Sequence, residues 1–403
     1  MSEAAFVLLW CFVFVVPWEE VVPVPFLGSL PHLIGVAACI GGTLHVLARG
    51  SLRPLSWFHW FAIAFVLWAG VSSLWTIDPV ATRARLMTYL QLVVLVWLIW
   101  EIAWSPERQR ALLQAFVLGT CFAALGTVSN YLSGVSVDVE AARFSTLHTN
   151  PNELGLTLAL GLPMAWYLSL SHPQRRGTAI YRFYIPLGVT AILLTASRGA
   201  FAAALVALLV IPWTSGHMSA RTKAAVYAVT VGSLLLAASL VPRASLDRLG
   251  STRSDMAAGY FGGRGVIWKS GLEIVRENPL VGVGAGAFGA AVEPGLGRYL
   301  SSHQGFLSIL VEEGTVGLAL FLCMALAVIG QLSRLPTLQR RFSIVILAVL
   351  GISSLSAAWD YRKPLWFALG LLASQAALRR ASRVASRRGV VSAAAAAQGI
   401  PVL

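Results

Sequence analysis

The stretch from residue 180 to residue 213, IYRFYIPLGVTAILLTASRGAFAAALVALLVIPW, decides how this chain folds. As one helix it would run about 50 Å, too long for a hydrocarbon core of about 30 Å even when tilted. One helix would also hold Arg198 near the bilayer centre, where a charged side chain is costly. The sequence therefore predicts two membrane-spanning helices, 180–197 and 199–213, joined by a tight turn at Ser197-Arg198-Gly199.

The composition extends this interpretation to the whole chain. Of 403 residues, 57% are hydrophobic and 12% are charged, and the mean hydropathy is +0.74, whereas a soluble protein is about 25% charged. The pattern predicts an all-α polytopic membrane protein and excludes a soluble one. Apolar blocks long enough to cross a bilayer predict about twelve spans, at 4–18, 27–48, 55–75, 84–104, 109–132, 152–171, 180–197, 199–213, 223–241, 303–330, 342–358 and 364–378.

Basic residues set the expected orientation. Arg175, Arg176 and Arg182 precede the helix pair and Arg221 and Lys223 follow it, and such clusters prefer the cytoplasm. Both termini are therefore predicted to be cytoplasmic. We expect one transmembrane domain over 1–378 with a large, partly helical loop at 242–302 on the other side, between spans nine and ten, and a flexible basic tail over 379–403. The basic surface should face anionic lipid, and no nucleic-acid motif is present.

Polar clusters lie beside the predicted outer ends of the spans, where polar side chains of membrane proteins are most informative. The first cluster, Arg143 with Asn150-Pro151-Asn152, precedes the sixth span. Asn-Pro-Asn is a turn and helix-start signal, so one interpretation is capping of that helix. The alternative is that Arg143, Asn150 and Asn152 contact a sugar or a phosphate.

Two further clusters are centred on arginine. Arg198 is either an anchor at the end of a span or, in a turn between small residues, a functional group. Arg264 opens a segment whose apolar residues, including Val266 and Ile274, predict an amphipathic helix on the membrane surface. At the start of that helix, Arg264 is placed to meet a phosphate with help from unpaired backbone N–H groups.

The fourth cluster runs from His303 to Glu312-Glu313 in the tenth span. A lone histidine near a helix start is usually structural, but its place at the outer mouth of a membrane cavity favours function. No second His or Cys lies at ligand spacing and no Asp-x-Asp motif offers a cation site, so phosphate chemistry here would depend on arginine. Asp360, beyond the eleventh span, either orients His303 or pairs with Arg362.

The order of these motifs resembles that of the bacterial O-antigen ligases. The similarity covers roughly 140–330 and consists of Arg…Asn-Pro-Asn-x-x-Gly, Ser-Arg-Gly, Arg-x-x-x-Trp…Asn-Pro-Leu-x-Gly-x-Gly-x-Gly-x-Phe, and His-x(10)-Gly. Each motif is weak alone, whereas four in this order are specific for a superfamily that also contains O-antigen polymerases and O-linked oligosaccharyltransferases. The motifs separate those branches poorly.

The resemblance implies an inverting, metal-independent glycosyltransferase of the GT-C type, in the inner membrane of a Gram-negative bacterium and without a cofactor. It would move a glycan from undecaprenyl pyrophosphate to the lipid A–core oligosaccharide at the periplasmic face. By the same resemblance, Arg198 and Arg264 hold the pyrophosphate and His303 is the essential histidine. Residues 242–302 would form a lid bearing Arg264 over a cavity, with His303 at its rim.

Two other functions stay open. Within the superfamily, the chain can be an O-antigen polymerase or a protein O-oligosaccharyltransferase, which differ from the ligase in the acceptor. From another class, it can be a transporter of anionic substrates. The sequence shows no repeat symmetry and few charges deep in the spans, and both features disfavour a transporter.

Overall fold

A computed structural model of the protein describes residues 2–19, 23–24, 28–137, 143–146, 149–171, 178–217, 219–240, 242–243 and 264–397. In this part of the chain the α-helices are α1 (Ser2–Val15), α2 (Leu30–Arg49), α3 (Trp57–Val71), α4 (Pro79–Ile102), α5 (Pro106–Leu132), α6 (Pro151–Ser171), α7 (Thr178–Leu194), α8 (Arg198–Leu208), α9 (Val210–Thr214), α10 (Ala220–Leu240), α11 (Arg264–Glu277), α12 (Phe288–Leu296), α13 (Gly305–Ile329), α14 (Thr337–Ser356) and α15 (Lys363–Ala397). Single 3-10 turns lie at Val16–Trp18, Ser72–Leu74, Ser215–His217 and Leu332–Arg334.

Each predicted span coincides with a helix, and the protein is a multi-pass membrane protein. Among the described residues, seven helical segments are long and apolar enough to cross a bilayer: Leu30–Arg49, Trp57–Leu74, Pro79–Ile102, Pro106–Leu132, Pro151–Ser171, Gly305–Arg334 and Thr337–Ser356. Three shorter apolar segments are Ser2–Trp18, Thr178–Leu194 and Arg198–Thr214. The number of twelve spans, like the GT-C likeness, stays a prediction.

The starts of the helices follow from local sequence. The Asp78 side chain accepts a hydrogen bond from the Ala81 N–H at 3.0 Å, and Pro79 takes the first position of α4. Ser105 and Pro106 open α5 in the same way. Proline has no N–H to lose at this position and its fixed φ suits a helix. Both helices therefore begin at a proline, a few residues before the predicted spans 84–104 and 109–132.

The α6 helix is the centre of the bundle. It packs against α5, α7 and α8. In its most apolar stretch 89% of the residues are buried, whereas the corresponding share is 22% in α2, at the periphery of the bundle. Further out, α13 packs on α3, α15 packs on α4, and α14 packs on α8. The start of α6, where Asn150 and Asn152 lie, is therefore held in place by three neighbouring helices.

The predicted break between two helices is present, but the turn lies at Thr195-Ala196-Ser197, and Arg198 and Gly199 belong to α8. The first helix ends at Leu194, the second begins at Arg198, and Ala196 adopts a left-handed φ of 48°. Gly199 then lies directly against the end of α14: a Cβ atom at Gly199 would lie 2.4 Å from the Ser356 Cβ. The turn therefore also fixes how closely α8 approaches α14.

The long loop contains helices, as predicted, although residues 244–263 lie outside the described residues. The predicted amphipathic helix is α11, but Ile267 is buried and Ile274 packs beside it in a cluster that includes Leu307 of α13. Val266 is 62% exposed. The expectation that the apolar face of α11 lies on the membrane was wrong for Ile267 and Ile274, because the rest of the protein covers both residues.

A small departure from an all-α fold occurs after α1. Residues 23–24 and 28–29 form a two-stranded antiparallel ladder, with Pro23 opposite Ser29 and Val24 opposite Gly28. At the other end of the chain, α15 continues as helix through 379–397. The division into a transmembrane domain and a flexible tail stays a prediction.

Charged residues gather at both ends of the bundle. At one end, Glu101 pairs with Arg49, and Arg108 pairs with Glu3 at 2.5 Å. At the other end, Lys363 pairs with Glu19, and Arg362 pairs with Glu153 of α6. The predicted inner and outer residues are thus separated in space, while the side that faces the cytoplasm stays a prediction.

We expect Gly199→Ala to destabilise the protein, because the new methyl group would overlap the Ser356 side chain. Overpacking of this kind costs about 1–3 kcal/mol. Thermal unfolding in detergent should show a lower Tm for this variant.

The matched control is Gly351→Ala in α14, where a Cβ meets nothing within 4 Å and alanine is the better helix former. It should unfold at the wild-type temperature or above. The double variant Gly199→Ala/Ser356→Gly should recover stability because it removes the overlapping Cβ. Equal Tm values for the two single variants would contradict the close contact.

Candidate active site

Arg198 is the first residue of α8 and follows directly on the turn. Ser197, which is 3% exposed, caps the helix by accepting a hydrogen bond from the Ala200 N–H at 3.4 Å. Since the helix begins at Arg198, this residue lies among the first backbone N–H groups of the helix, which have no partner within it. The position combines a cation with the positive end of a helix.

Arg143 joins the first predicted cluster to this turn. Its Nε donates to the Thr195 carbonyl at 3.0 Å and its Nη2 donates to Asn152 Oδ1 at 2.8 Å. Asn150 Oδ1 accepts from the Asn152 N–H at 2.9 Å, which is the helix-capping arrangement. Asn150 therefore caps α6, while contact of Arg143, Asn150 and Asn152 with a substrate stays a prediction.

Arg264 is the first residue of α11 and reaches the end of α14. Its Nη1 donates to the Ser356 carbonyl at 3.0 Å. Ser356 is the residue against which Gly199 packs. The structure therefore brings Arg264 and Gly199, the residue after Arg198, to the same residue, although the two arginines are 66 positions apart in the sequence.

His303 lies in a strained turn before α13. In the described part of the chain, the non-glycine residues with positive φ are Ala196 and His303, the latter at 50°. Few non-glycine residues adopt this conformation, and such outliers cluster at functional sites. The two outliers therefore fall in the two turns that the sequence predicts to be functional.

Neighbouring contacts hold the His303 turn in place. The Trp268 indole of α11 donates to the Ser302 carbonyl at 3.0 Å, and the Gln304 side chain caps α13 by accepting from the Leu307 N–H. Burial, and then the charge of Arg264, lowers the pKa of His303 below its ordinary value of 6.5. The imidazole is therefore neutral at neutral pH and able to accept a proton.

The carbonyl end of α14 is the point at which these elements meet. A Cβ atom at Gly305, the first residue of α13, would lie 3.2 Å from the Ser354 carbonyl and 3.4 Å from the Ala357 carbonyl. The positive ends of α8, α11 and α13 thus gather around the negative end of α14. Helix starts favour anions, and binding of an anion beside them stays a prediction.

Asp360 lies elsewhere in this network than the sequence analysis expected. Its Oδ2 is 3.2 Å from Arg85 Nη1 and accepts from the Tyr89 hydroxyl at 2.7 Å, whereas Arg362 pairs with Glu153. The expected pair between Asp360 and Arg362 is therefore corrected, because Arg85 of α4 takes that place. Contact of Asp360 with a substrate stays a prediction.

Buried charges in the spans were underestimated from sequence. Glu312 and Glu313 of α13 are 1% and 0% exposed, and Arg85 Nη1 lies 3.0 Å from Glu312 Oε2. The expectation of few charges deep in the spans was wrong here. Arg85 was missed although a signal existed, since an arginine within an apolar span marks a functional or paired position.

Residues 183–322 match the family model described as O-antigen ligase. This region is similar to the O-antigen ligase family. The predicted resemblance is confirmed, and Arg198, Arg264 and His303 all lie within the matched ligase region. No curated protein matches the chain.

Two site residues that lie outside the ligase region contact it. Arg143 binds the Thr195 carbonyl within the region, and Arg85 binds Glu312 within it. No group of three His, Cys, Asp or Glu residues among those described is placed to hold a metal ion.

Proposed function

We propose that the protein transfers an O-antigen glycan from a polyprenyl pyrophosphate, as in the family, to the lipid A–core oligosaccharide at the periplasmic face of the inner membrane. Arg264 is close enough to His303 to lower its pKa. The observation that carries this proposal is the arrangement at the end of α14, where Ser356 contacts both Arg264 and Gly199, the residue after Arg198. It supplies two cations for a diphosphate and a neutral base beside them. The family match supports the reaction class.

The proposed step is an inverting displacement. The His303 imidazole takes the proton of an acceptor sugar hydroxyl, and the hydroxyl oxygen attacks the anomeric carbon of the donor. The bond between that carbon and the pyrophosphate oxygen breaks, and its electron pair leaves with the lipid pyrophosphate. General-base assistance of this kind contributes about 10²–10⁴-fold to rate.

Arg198 and Arg264 would stabilise the leaving group. Negative charge grows on the phosphate oxygens as the glycosidic bond breaks, and guanidinium groups bind such oxygens through paired N–H donors. Their positions at the starts of α8 and α11 add the positive helix ends to the same field. Because α14 holds Arg264 in place through the Ser356 carbonyl, little reorganisation is needed during the reaction.

The alternatives differ in the acceptor or in the class of protein. An O-antigen polymerase would use a second lipid-linked glycan, and a protein O-oligosaccharyltransferase would use a protein hydroxyl. The same three residues would serve either. A transporter would have no use for a base beside the arginines, although the buried charges of α13 remove one of the sequence arguments against it.

We expect the purified protein to transfer glycan in the presence of EDTA, because arginines, rather than a metal ion, stabilise the leaving group in the proposed step. His303→Ala should lower kcat about 10²–10⁴-fold, and Arg264→Ala should lower it about 10²–10³-fold. Transfer is measured from lipid-linked donor to lipid A–core in detergent.

The controls for these variants are His45→Ala and Arg276→Ala. His45 is a half-buried histidine at the other end of the bundle, and Arg276 is an exposed arginine within α11. Both controls should retain wild-type rates. Full activity of His303→Ala would exclude the base role, and loss of activity in EDTA would exclude the metal-independent step.

The lowered pKa of His303 predicts the pH dependence of kcat/KM. The neutral imidazole is the active form, so activity is lost as pH falls through the pKa of His303. Because burial and Arg264 lower that pKa, the acid limb should lie below 6.5. In Arg264→Gln, the acid limb of the remaining activity should move to higher pH, because the variant lacks the charge that lowers the pKa of His303. A wild-type limb above 6.5 would contradict this arrangement.

The lipopolysaccharide profile of a deletion strain separates the ligase from the polymerase. A ligase mutant should lose every O-antigen ladder band and accumulate lipid-linked O-antigen. A polymerase mutant would keep a single one-repeat band, and a normal ladder would exclude both. Complementation with the wild-type chain, but not with His303→Ala, ties the result to the site.

A further inference from the structure

A single guanidinium, that of Arg85, binds two carboxylates from different parts of the chain. Its Nη1 lies 3.0 Å from Glu312 Oε2 and 3.2 Å from Asp360 Oδ2. The guanidinium carbon also lies 3.9 Å from the ring centroid of Tyr361. The side chain of Arg85 is 15% exposed, and those of both acids are 1–2% exposed, so the interaction is hardly screened by solvent.

The first carboxylate ties Arg85 to the helix that follows His303. Glu312 lies in α13, and its Oε2 also accepts from the Gly286 N–H at 2.8 Å. Its Oε1 accepts from the Ser308 hydroxyl at 3.2 Å. Movement of Glu312 would therefore shift both α13 and the turn that connects α11 with α12.

The second carboxylate ties Arg85 to the segment that holds Arg264. Asp360 belongs to the short connection between α14 and α15, and it accepts from Tyr89 of α4 at 2.7 Å. The Asp360 carbonyl accepts from the Trp366 indole at 2.6 Å. Four residues before Asp360 lies Ser356, whose carbonyl binds Arg264.

We propose that Arg85 is a positioning residue for the transfer reaction: it fixes the distance between the His303 helix and the α14–α15 connection that orients Arg264. This rests on the proposed function. Arg85 contacts neither His303 nor Arg264 directly, and acts through Glu312 on one side and through Asp360 on the other.

The reason is electrostatic. Without Arg85, the carboxylates of Glu312 and Asp360 would face each other while buried, close to Glu313, which is 0% exposed. Buried like charges repel, and each must then take up a proton or move towards water. Either response lets α13 and the connection separate, which draws Arg264 away from His303.

The test compares four variants of the full-length protein in lipid nanodiscs. Arg85→Met removes the cation, and Arg85→Lys keeps the charge but cannot bind two carboxylates with one planar group. The triple variant Arg85→Met/Glu312→Gln/Asp360→Asn removes the repulsion and protects folding. Arg83→Met, two residues earlier in α4 and exposed, is the control.

We expect kcat per folded molecule to fall about 100-fold in Arg85→Met and in the triple variant. Both lack the two ion pairs that hold α13 and the connection together, and a misplacement of about 1 Å can cost that much. The acid limb of kcat/KM should move upward as Arg264 leaves His303. Arg85→Lys should recover part of both, and Arg83→Met should match wild type. Unchanged kcat and an unchanged acid limb in the folded triple variant would overturn the proposal.

A second measurement does not need the reaction. Spin labels at Ser301→Cys and Leu355→Cys, with the four native cysteines replaced by alanine, report the separation between the His303 turn and the end of α14. The distance distribution should broaden or shift in the Arg85 variants and stay unchanged in Arg83→Met. If wild-type protein transfers no glycan, the proposed function fails, and this distance alone decides whether Arg85 holds the two segments.

Discussion

The geometry of the site depends on one contact, the packing of three helix starts against the C-terminal end of α14. Carbonyl groups at the C-terminal end of a helix carry partial negative charge, and here they face the beginnings of three other helices. Ser356 accepts from Arg264 and packs against Gly199, while Gly305 lies against Ser354 and Ala357. A helix end with unpaired carbonyls thereby gains partners, and the opposing helices gain a fixed orientation.

The bundle also depends on pairing the charged side chains that lie inside it with side chains of opposite charge. Isolated charges there are costly, so they persist where partners hold them. Arg85 pairs with Glu312 and Asp360, and Arg362 pairs with Glu153 at the start of α6. These pairs link helices far apart in sequence, so the residues that keep the bundle electrically balanced also set the geometry around His303.

Parts of the candidate site could be predicted because their signals are local. The place of Arg198 beside a turn could be predicted because a charge in the middle of one long membrane helix is too costly. The capping role of Asn150 could be predicted from Asn-Pro-Asn before an apolar segment. Asp360 was assigned the wrong neighbour because its partner, Arg85, comes from a helix 275 positions away. The face of α11 was assigned to lipid because periodicity gives an apolar face but not what covers it.

The sequence alone determined where the helices lie, that a break interrupts the apolar stretch 180–213, and the family that residues 183–322 resemble. These properties depend on hydrophobic length, turn residues and motif order, which are written along the chain. The tertiary structure alone decided that Arg264 and Gly199 both contact Ser356, that Gly305 packs against the neighbouring residues of α14, and that Arg85 joins Glu312 to Asp360. Such contacts depend on how helices pack side by side, and no local pattern records which faces will touch.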